Sequence, residues 1–344
     1  MEKDFLILGI ESSCDETAAA VVKNGREVLS SVVNSQIEIH RPFGGVVPEI
    51  ASRNHVKNID GVVAEALKTA GVSPADLSCV AVTYGAGLVG ALLVGVSFAK
   101  AFCQATGLPL IKVNHIEGHI CANYITHPEL EPPFICLLAS GGHTAIVDVK
   151  SYTDYRVLNT TIDDACGEAF DKVARTLGLP YPGGVHIDRL AKEGQDNITF
   201  KSVVMKDGNF SYSGLKTGVI NYLHNKSQIG EEVNQNDVAK SFTVAAVKGV
   251  VDEAVKIASQ KYKKLCVAGG VGANSFLREY ASQQCRKQGI NLFLPELKYC
   301  GDNAAMIASQ GYFLMREGID FADMTLNACP TLSLKQNKEE DTNE

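Results

Sequence analysis

The chain has 344 residues, 45% of them hydrophobic, and a formal net charge of −7. That length and apolar content are enough for two lobes with sizeable cores, and the acidic balance excludes a surface that is basic throughout for gripping nucleic acid. Ten cysteines without a C-x-x-C pair fit reduced thiols in a cytosolic compartment, not a disulfide framework.

The first residues enter a strand-like pattern directly, with no basic leader or cleavage site. Residues 5–11 read as a short apolar strand, Ser12-Ser13-Cys14-Asp15-Glu16 as a polar turn, and 17–23 as a second strand. The Asn24-Gly25 pair is a two-residue hairpin signal into a third strand at 26–33. Further apolar strands fall at 79–84 and 110–113. The glycine-rich run 88–103 is shorter than the roughly 20 residues of a membrane span and reads as a buried helix. Gly85-Ala86-Gly87-Leu88-Val89-Gly90 spells G-x-G-x-x-G, but the next strand ends in Asn114 where a dinucleotide site needs an acid. Its glycines are therefore assigned to helix packing.

His115 and His119 follow at helical spacing, on one face, close enough for both imidazoles to grip one metal ion. Glu117 lies two residues from each. At about 100° per residue it points roughly 160° away, so it is no general base of a metalloprotease.

The opening grammar then returns. Residues 134–139 are apolar, Ser140-Gly141-Gly142 turns, and strands follow at 143–150 and 155–161. A β-β-β-α-β-α plan used twice is the layout of the two-lobed actin, Hsp70 and sugar-kinase architecture, with nucleotide between the lobes. Tight glycine turns let backbone N–H groups approach phosphate oxygens closely. A third glycine element, Gly269-Gly270-Val271-Gly272-Ala273-Asn274, follows a strand at 264–268 and opens a helix for which Asn274 is a good N-cap. The lobes are placed at 1–130 and 131–334, with the final helices, about 302–328, free to pack back on the first lobe. Residues 335–344 read as a frayed acidic tail. Lysines near 256–264 and the Arg286-Lys287 pair read as solvated helix faces. Ser213-Gly214-Leu215-Lys216 and Lys216-Thr217-Gly218 overlap on one lysine and cannot both serve as penicillin-binding motifs, and there is no Walker A sequence.

The histidine pair, the Ser140-Gly141-Gly142-His143-Thr144 turn, the run from Asp163 to Lys172 and Gly269-Gly270-Val271 together make the chain resemble the bacterial tRNA N(6)-adenosine threonylcarbamoyltransferase family. The resemblance extends from Gly9 to about Ala328. It departs at Ala86, where proline is usual, and at Cys166, where a smaller residue is common.

The resemblance implies transfer of threonylcarbamoyl from threonylcarbamoyl-AMP to the N(6) amine of the adenosine 3′ of the anticodon, in tRNAs reading ANN codons, with release of AMP. It places metal ligands on His115, His119 and Asp302. Substrate contacts fall on Leu138, Ala139, Ser140, Gly141 and Gly142, with Asp171, Gly184 and Asp188 for threonyl or ribose and Asn274 for adenosine. Two imidazoles and a carboxylate suit iron(II) first and zinc second. Asp15 and Glu16 are candidates to take the amine proton. The resemblance also implies a smaller TsaB-like paralogue and a TsaE-like ATPase as partners. The competing expectations are an Hsp70- or kinase-like ATPase, and a carbamoyltransferase with a different acceptor.

Overall fold

The computed structural model describes residues 4–319 and 321–334; the tail expected at 335–344 lies outside the described residues. The first half runs β1 (Leu6–Glu11), β2 (Glu16–Lys23), β3 (Glu27–Ser35), α1 (Ile37–His40), α2 (Pro48–Ala70), β4 (Cys79–Gly85), α3 (Val89–Thr106), β5 (Leu110–Asn114) and α4 (His115–Thr126). The second runs β6 (Phe134–Ala139), β7 (Thr144–Val149), β8 (Tyr155–Thr160), α5 (Cys166–Thr176), α6 (Gly183–Glu193), α7 (Ser213–Gln228), α8 (Gln235–Gln260), β9 (Lys264–Ala268), α9 (Ser275–Gln288), β10 (Asn291–Phe293) and α10 (Ala304–Arg316). The sheets have orders β3-β2-β1-β4-β5 and β10-β9-β6-β7-β8. Each begins as an antiparallel meander and grows by parallel strands on the other side of its first strand, β4 on β1 and β9 on β6. The duplicated two-lobed α/β plan is therefore present in the pairing itself.

Asn24 and Gly25 both have positive φ, 52° and 70°, the backbone a tight hairpin needs. The strands resume with Lys23 opposite Glu27, so the loop holds three residues and includes Arg26, one more than the sequence suggests. Arg26 is thereby aimed into the seam between the lobes. Its guanidinium lies 5.2, 5.8 and 5.3 Å from the ring centroids of Tyr124, Tyr152 and Phe313, and donates to the Leu130 carbonyl and the Tyr152 hydroxyl.

Three helical expectations need correction. Helix α3 is half-buried: Leu92, Val96 and Ala99 face the core, while Val89 and Leu93 are 54% and 40% exposed. A hydropathy run reports apolar content and not which side is covered. The G-x-G-x-x-G glycines are only partly a matter of helix packing. Gly90 meets Ser52 of α2, but Gly85 and Gly87 admit the backbones of Cys329 and Ser13. The lysines near 256–264 do not form one solvated helix face: Lys256 on α8 pairs with Glu253, Lys261 lies past the helix end and pairs with Asp148 of β7, and Lys264 opens β9.

α10 comes from the end of the chain yet joins the first lobe, packing over β1, β2 and α4. Beyond Arg316 no further helix is formed among the described residues, so only part of 302–328 is helical. Close approach is made possible by Gly9: a Cβ built there would lie 2.2 Å from the Ala304 carbonyl oxygen. Gly9→Ala is expected to push α10 off the sheet and lower stability by about 1–3 kcal/mol, read as a lower urea midpoint at unchanged m-value.

Candidate metal centre and interlobe cleft

β5 ends in Asn114, whose side chain accepts from the Ile116 N–H at 2.9 Å and caps α4. His115 is thus the first residue of the helix and His119 stands one turn on, with ring centroids 4.7 Å apart. Asp302 lies in the turn before α10, held by Asn303, which caps that helix by accepting from the Met306 N–H and donates to the Gly301 carbonyl. Packing of α10 against α4 brings Asp302 Oδ1 to 3.2 Å from His119 Nε2 and 3.5 Å from His115 Nε2. For metal–ligand bonds of about 2.1 Å, neighbouring donors around one ion stand ~3.0–3.4 Å apart. The observed spacings fit that requirement, and all three donor atoms lie within 4.8 Å of one another.

Behind this group sits Glu11, fully buried at the end of β1. Its carboxylate accepts from the Thr83 hydroxyl at 2.6 Å, from His115 Nδ1 at 3.0 Å and from the Ser13 N–H. A proton on Nδ1 leaves the Nε2 lone pair of His115 directed at Asp302, the arrangement in which an outer carboxylate fixes the tautomer of a metal-binding histidine. His119 has no such support, since its Nδ1 is buried without a partner. Glu11 was not singled out from the sequence, although a charge closing a run of buried apolar residues is a signal.

Burial disfavours the charged form of His115, but Asp302 and Glu11 outweigh it and hold the imidazole up to about 9. Burial likewise works against ionised Asp302, and the two histidines override it, bringing the carboxyl down to about 2. Glu16 goes the other way: burial, then Asp302 and Asp15, push it up to about 10. Without a cation it is therefore protonated at neutral pH and cannot take a proton. Its Oε1 accepts from the Ser35 hydroxyl, and Asp15 accepts from Tyr181. His143 is held down at about 4 by burial and by the two nearby histidines, and so is neutral.

A cavity of about 440 Å³ opens from Asp302 between the lobes. Asp15, Glu16, Gly141, Asp171, Gly184, Asp188 and Asn274 all reach its wall, as does Gly270 of the third glycine element; so do Tyr181 and Phe170, to which the sequence assigned no role. Asp171 Oδ1 accepts from the Gly183 N–H at 2.7 Å, which fixes the start of α6; burial raises its carboxyl. Asp188 accepts from the backbone and hydroxyl of Ser275, and Asn274 Oδ1 accepts from the Leu277 N–H. A Cβ at Gly141, Gly184 or Gly270 would meet nothing within 4 Å, so the cleft wall there is bare backbone.

Four expected contacts are not on this wall. Leu138 and Ala139 are buried inside β6, and Gly142 faces a different cavity beyond the turn. Ser140 is buried as well, its hydroxyl accepting from the His143 N–H. A motif identifies the stretch near the substrate, whereas strand alternation and the turn decide which atoms face it.

A family model described as tRNA N6-adenosine threonylcarbamoyltransferase matches residues 27–309. Among curated relatives, a tRNA N6-adenosine threonylcarbamoyltransferase of Clostridium perfringens is 54% identical over 333 residues, 96% of this chain and 98% of that one. A second, from Clostridium botulinum, is 53% identical over 338 residues, covering 97% and 99%. Among solved structures, HypF of T. kodakarensis superposes with a TM-score of 0.63 at 14% identity, over 92% of this chain and 48% of that one. Component A of the Acidaminococcus fermentans (R)-2-hydroxyglutaryl-CoA dehydratase gives 0.54 at 12% identity, over 90% and 98%. These distant likenesses speak to the two-lobed fold alone.

The Glu11 contact carries a measurable consequence. Glu11→Gln should weaken divalent-ion binding at the histidine pair by about 10–100-fold. Competition against a chelator would measure it, and an unchanged constant would show that the carboxylate does not orient His115.

Proposed function

The chain belongs to the tRNA N6-adenosine threonylcarbamoyltransferase family, and from that membership we propose how its cleft carries out the transfer. The enzyme moves a threonylcarbamoyl group to the N(6) amine of a tRNA adenosine. In our reading the donor is threonylcarbamoyl-AMP and the acceptor is the adenosine 3′ of the anticodon in tRNAs reading ANN codons. The observation that carries it is the meeting of His115, His119 and Asp302 beside a cavity walled by Asp302 itself with Gly184, Asp188, Gly270 and Asn274.

AMP lies along the bare backbone of Gly184 and Gly270, where a nucleotide approaches without meeting a side chain. Asp171 and Asp188 supply acceptors for ribose or threonyl hydroxyls, and the amide of Asn274 faces the base. Leu138 and Ala139, enclosed in β6, support the Ser140–Gly142 turn from behind. The N(6) lone pair forms a C–N bond to the carbamoyl carbon, the bond from that carbon to the phosphate oxygen breaks, and AMP leaves with the electron pair. An acyl-adenylate is already activated, so no covalent enzyme nucleophile is required. The amide of Gly141 borders the place where charge develops, and fixed dipoles act best there because they need not reorganise. The amine is a weak nucleophile, so holding it against the carbonyl supplies much of the acceleration. Asp15 is the group placed to take its proton; Glu16, held protonated by burial and by the carboxylates around it, would be open to it only if a bound cation eased that crowding.

His115, His119 and Asp302 would hold one divalent ion, iron(II) as first choice and zinc as second. Bound there, the ion supplies Lewis-acid stabilisation of phosphate or carbamoyl oxygen. An Hsp70- or kinase-like ATPase would leave the histidine pair without a task. A TsaB-like paralogue and a TsaE-like ATPase are proposed as partners, with the exposed Val89 and Leu93 of α3 as the surface for the first. A cytoplasmic location is proposed on ten cysteines all free as thiols. One described helix, Val89–Thr106, is long and apolar enough by composition to cross a membrane, but one side of it packs on α2 and β4.

The test combines the metal-loaded chain and its companions with threonylcarbamoyl-AMP and unmodified tRNA, then seeks the modified nucleoside in digested tRNA by mass spectrometry. His115→Ala is expected to lose bound metal and at least 100-fold in product while keeping its thermal transition. Full activity in that variant would remove the metal from the reaction.

A further inference from the structure

A second cavity, of about 480 Å³, lies across the glycine turn from the first. The two share that turn as a partition: Gly141 lines the first, Gly142 and His143 the second. The second also backs onto the histidine pair. Ile116, next to His115, forms part of its wall, and Gly87, another wall residue, rests on Ser13, whose hydroxyl is 3.1 Å from His115 Nδ1. Its outer wall is residues 330–334, tied across the first lobe by the Gly87 N–H donating to the Pro330 carbonyl and by Asn114 Nδ2 donating to the Ser333 carbonyl.

We propose that this second cavity receives the acceptor nucleobase, an adenine turned out of the anticodon loop with its amine directed at the glycine turn. The inference rests on the transfer reading above and adds to it a site for the second substrate. Chemistry inside a base stack is blocked, so enzymes that modify a base take it into a pocket, and bases in RNA loops are the ones that can be splayed out. The amine must also reach the carbamoyl carbon from a side that the departing AMP does not occupy. With AMP along Gly184 and Gly270, the far side of the Gly141-Gly142 turn meets that condition.

The lining agrees with a neutral heteroaromatic ring. Ile116, Leu138, Ala145, Val157 and Leu332 give apolar walls, and among the described residues the lining carries no lysine or arginine and one carboxylate, Asp163. The His143 ring makes no hydrogen bond among the described residues and is available to the edge of a base. The volume is within the usual range of small-molecule sites, about 300–1,000 Å³.

Filling the cavity from β8 tests this. Val157 is half-buried on the wall and Thr160 is exposed on it, so Val157→Phe and Thr160→Trp narrow the space from two independent positions. Both are assayed as metal-loaded full chains with their companions. We expect KM for tRNA to rise at least tenfold while KM for threonylcarbamoyl-AMP and metal content stay unchanged. A tRNA carrying 2-aminopurine at the acceptor position should change fluorescence on binding the unsubstituted protein and lose that change with the variants. Unaltered tRNA KM in a folded variant would overturn the inference, and so would a matching rise in donor KM, which would assign the cavity to the threonyl end. Failure of the unsubstituted protein to modify tRNA would instead sink the transfer reading; normal turnover with indifferent variants would sink only the second cavity.

Discussion

Everything at this centre depends on a helix from the end of the chain lying against the first strand. α10 reaches β1 because residue 9 has no side chain, and Asn303 begins the helix just after Asp302. The carboxylate is consequently delivered to two imidazoles presented by α4. Neither lobe alone holds the three ligands in its sequence, since Asp302 follows the second sheet while the helix it introduces belongs to the first.

Charge is the second constraint. Glu11, Asp15, Glu16 and Asp302 crowd around two imidazoles at the base of the cleft. Buried carboxylates are costly unless paired. The group without a cation answers by protonating His115 and Glu16. The divalent ion we propose would satisfy the same field with the histidines neutral, the form in which imidazoles bind metal. Glu11 accepts hydrogen bonds from Thr83, His115 and the Ser13 N–H, which together with the charge of His115 hold its carboxyl down despite burial and the nearby Asp302, so it serves as a fixed support.

The seam that carries both cavities is held by buried polar contacts. Arg26 lies among three rings, and Gln310 accepts from the Cys121 thiol and the Tyr155 hydroxyl while donating to Glu117. Glu117 thus faces away from the imidazoles, as helical spacing requires, and helps lock α4 between the sheets. Hydrogen bonds made between buried groups of this kind favour one arrangement over its neighbours. Two glycine-rich turns and a rigid α4 then form a cleft whose wall is largely backbone.

Local order was written into neighbouring residues. Alternation, the Asn24-Gly25 turn and the repeat of the opening grammar after residue 134 specify the duplicated sheets, because strand period and turn backbone depend on adjacent side chains. The His115–His119 spacing likewise specifies one face of one helix. What no spacing contains is the partner across the fold. Asp302 came from family likeness, Glu11 from nothing, and the exposed side of α3 from neither. A motif marks the stretch from Leu138 to Gly142 without its facing: Ala139 is enclosed in β6 while Leu138 and Gly142 line the second cavity, and the partition of the cleft by the Gly141-Gly142 turn arises only when both sheets are in place. Contacts between residues far apart in the chain follow from packing volume and the burial of charge, quantities that exist only once the lobes have closed around α4 and α10.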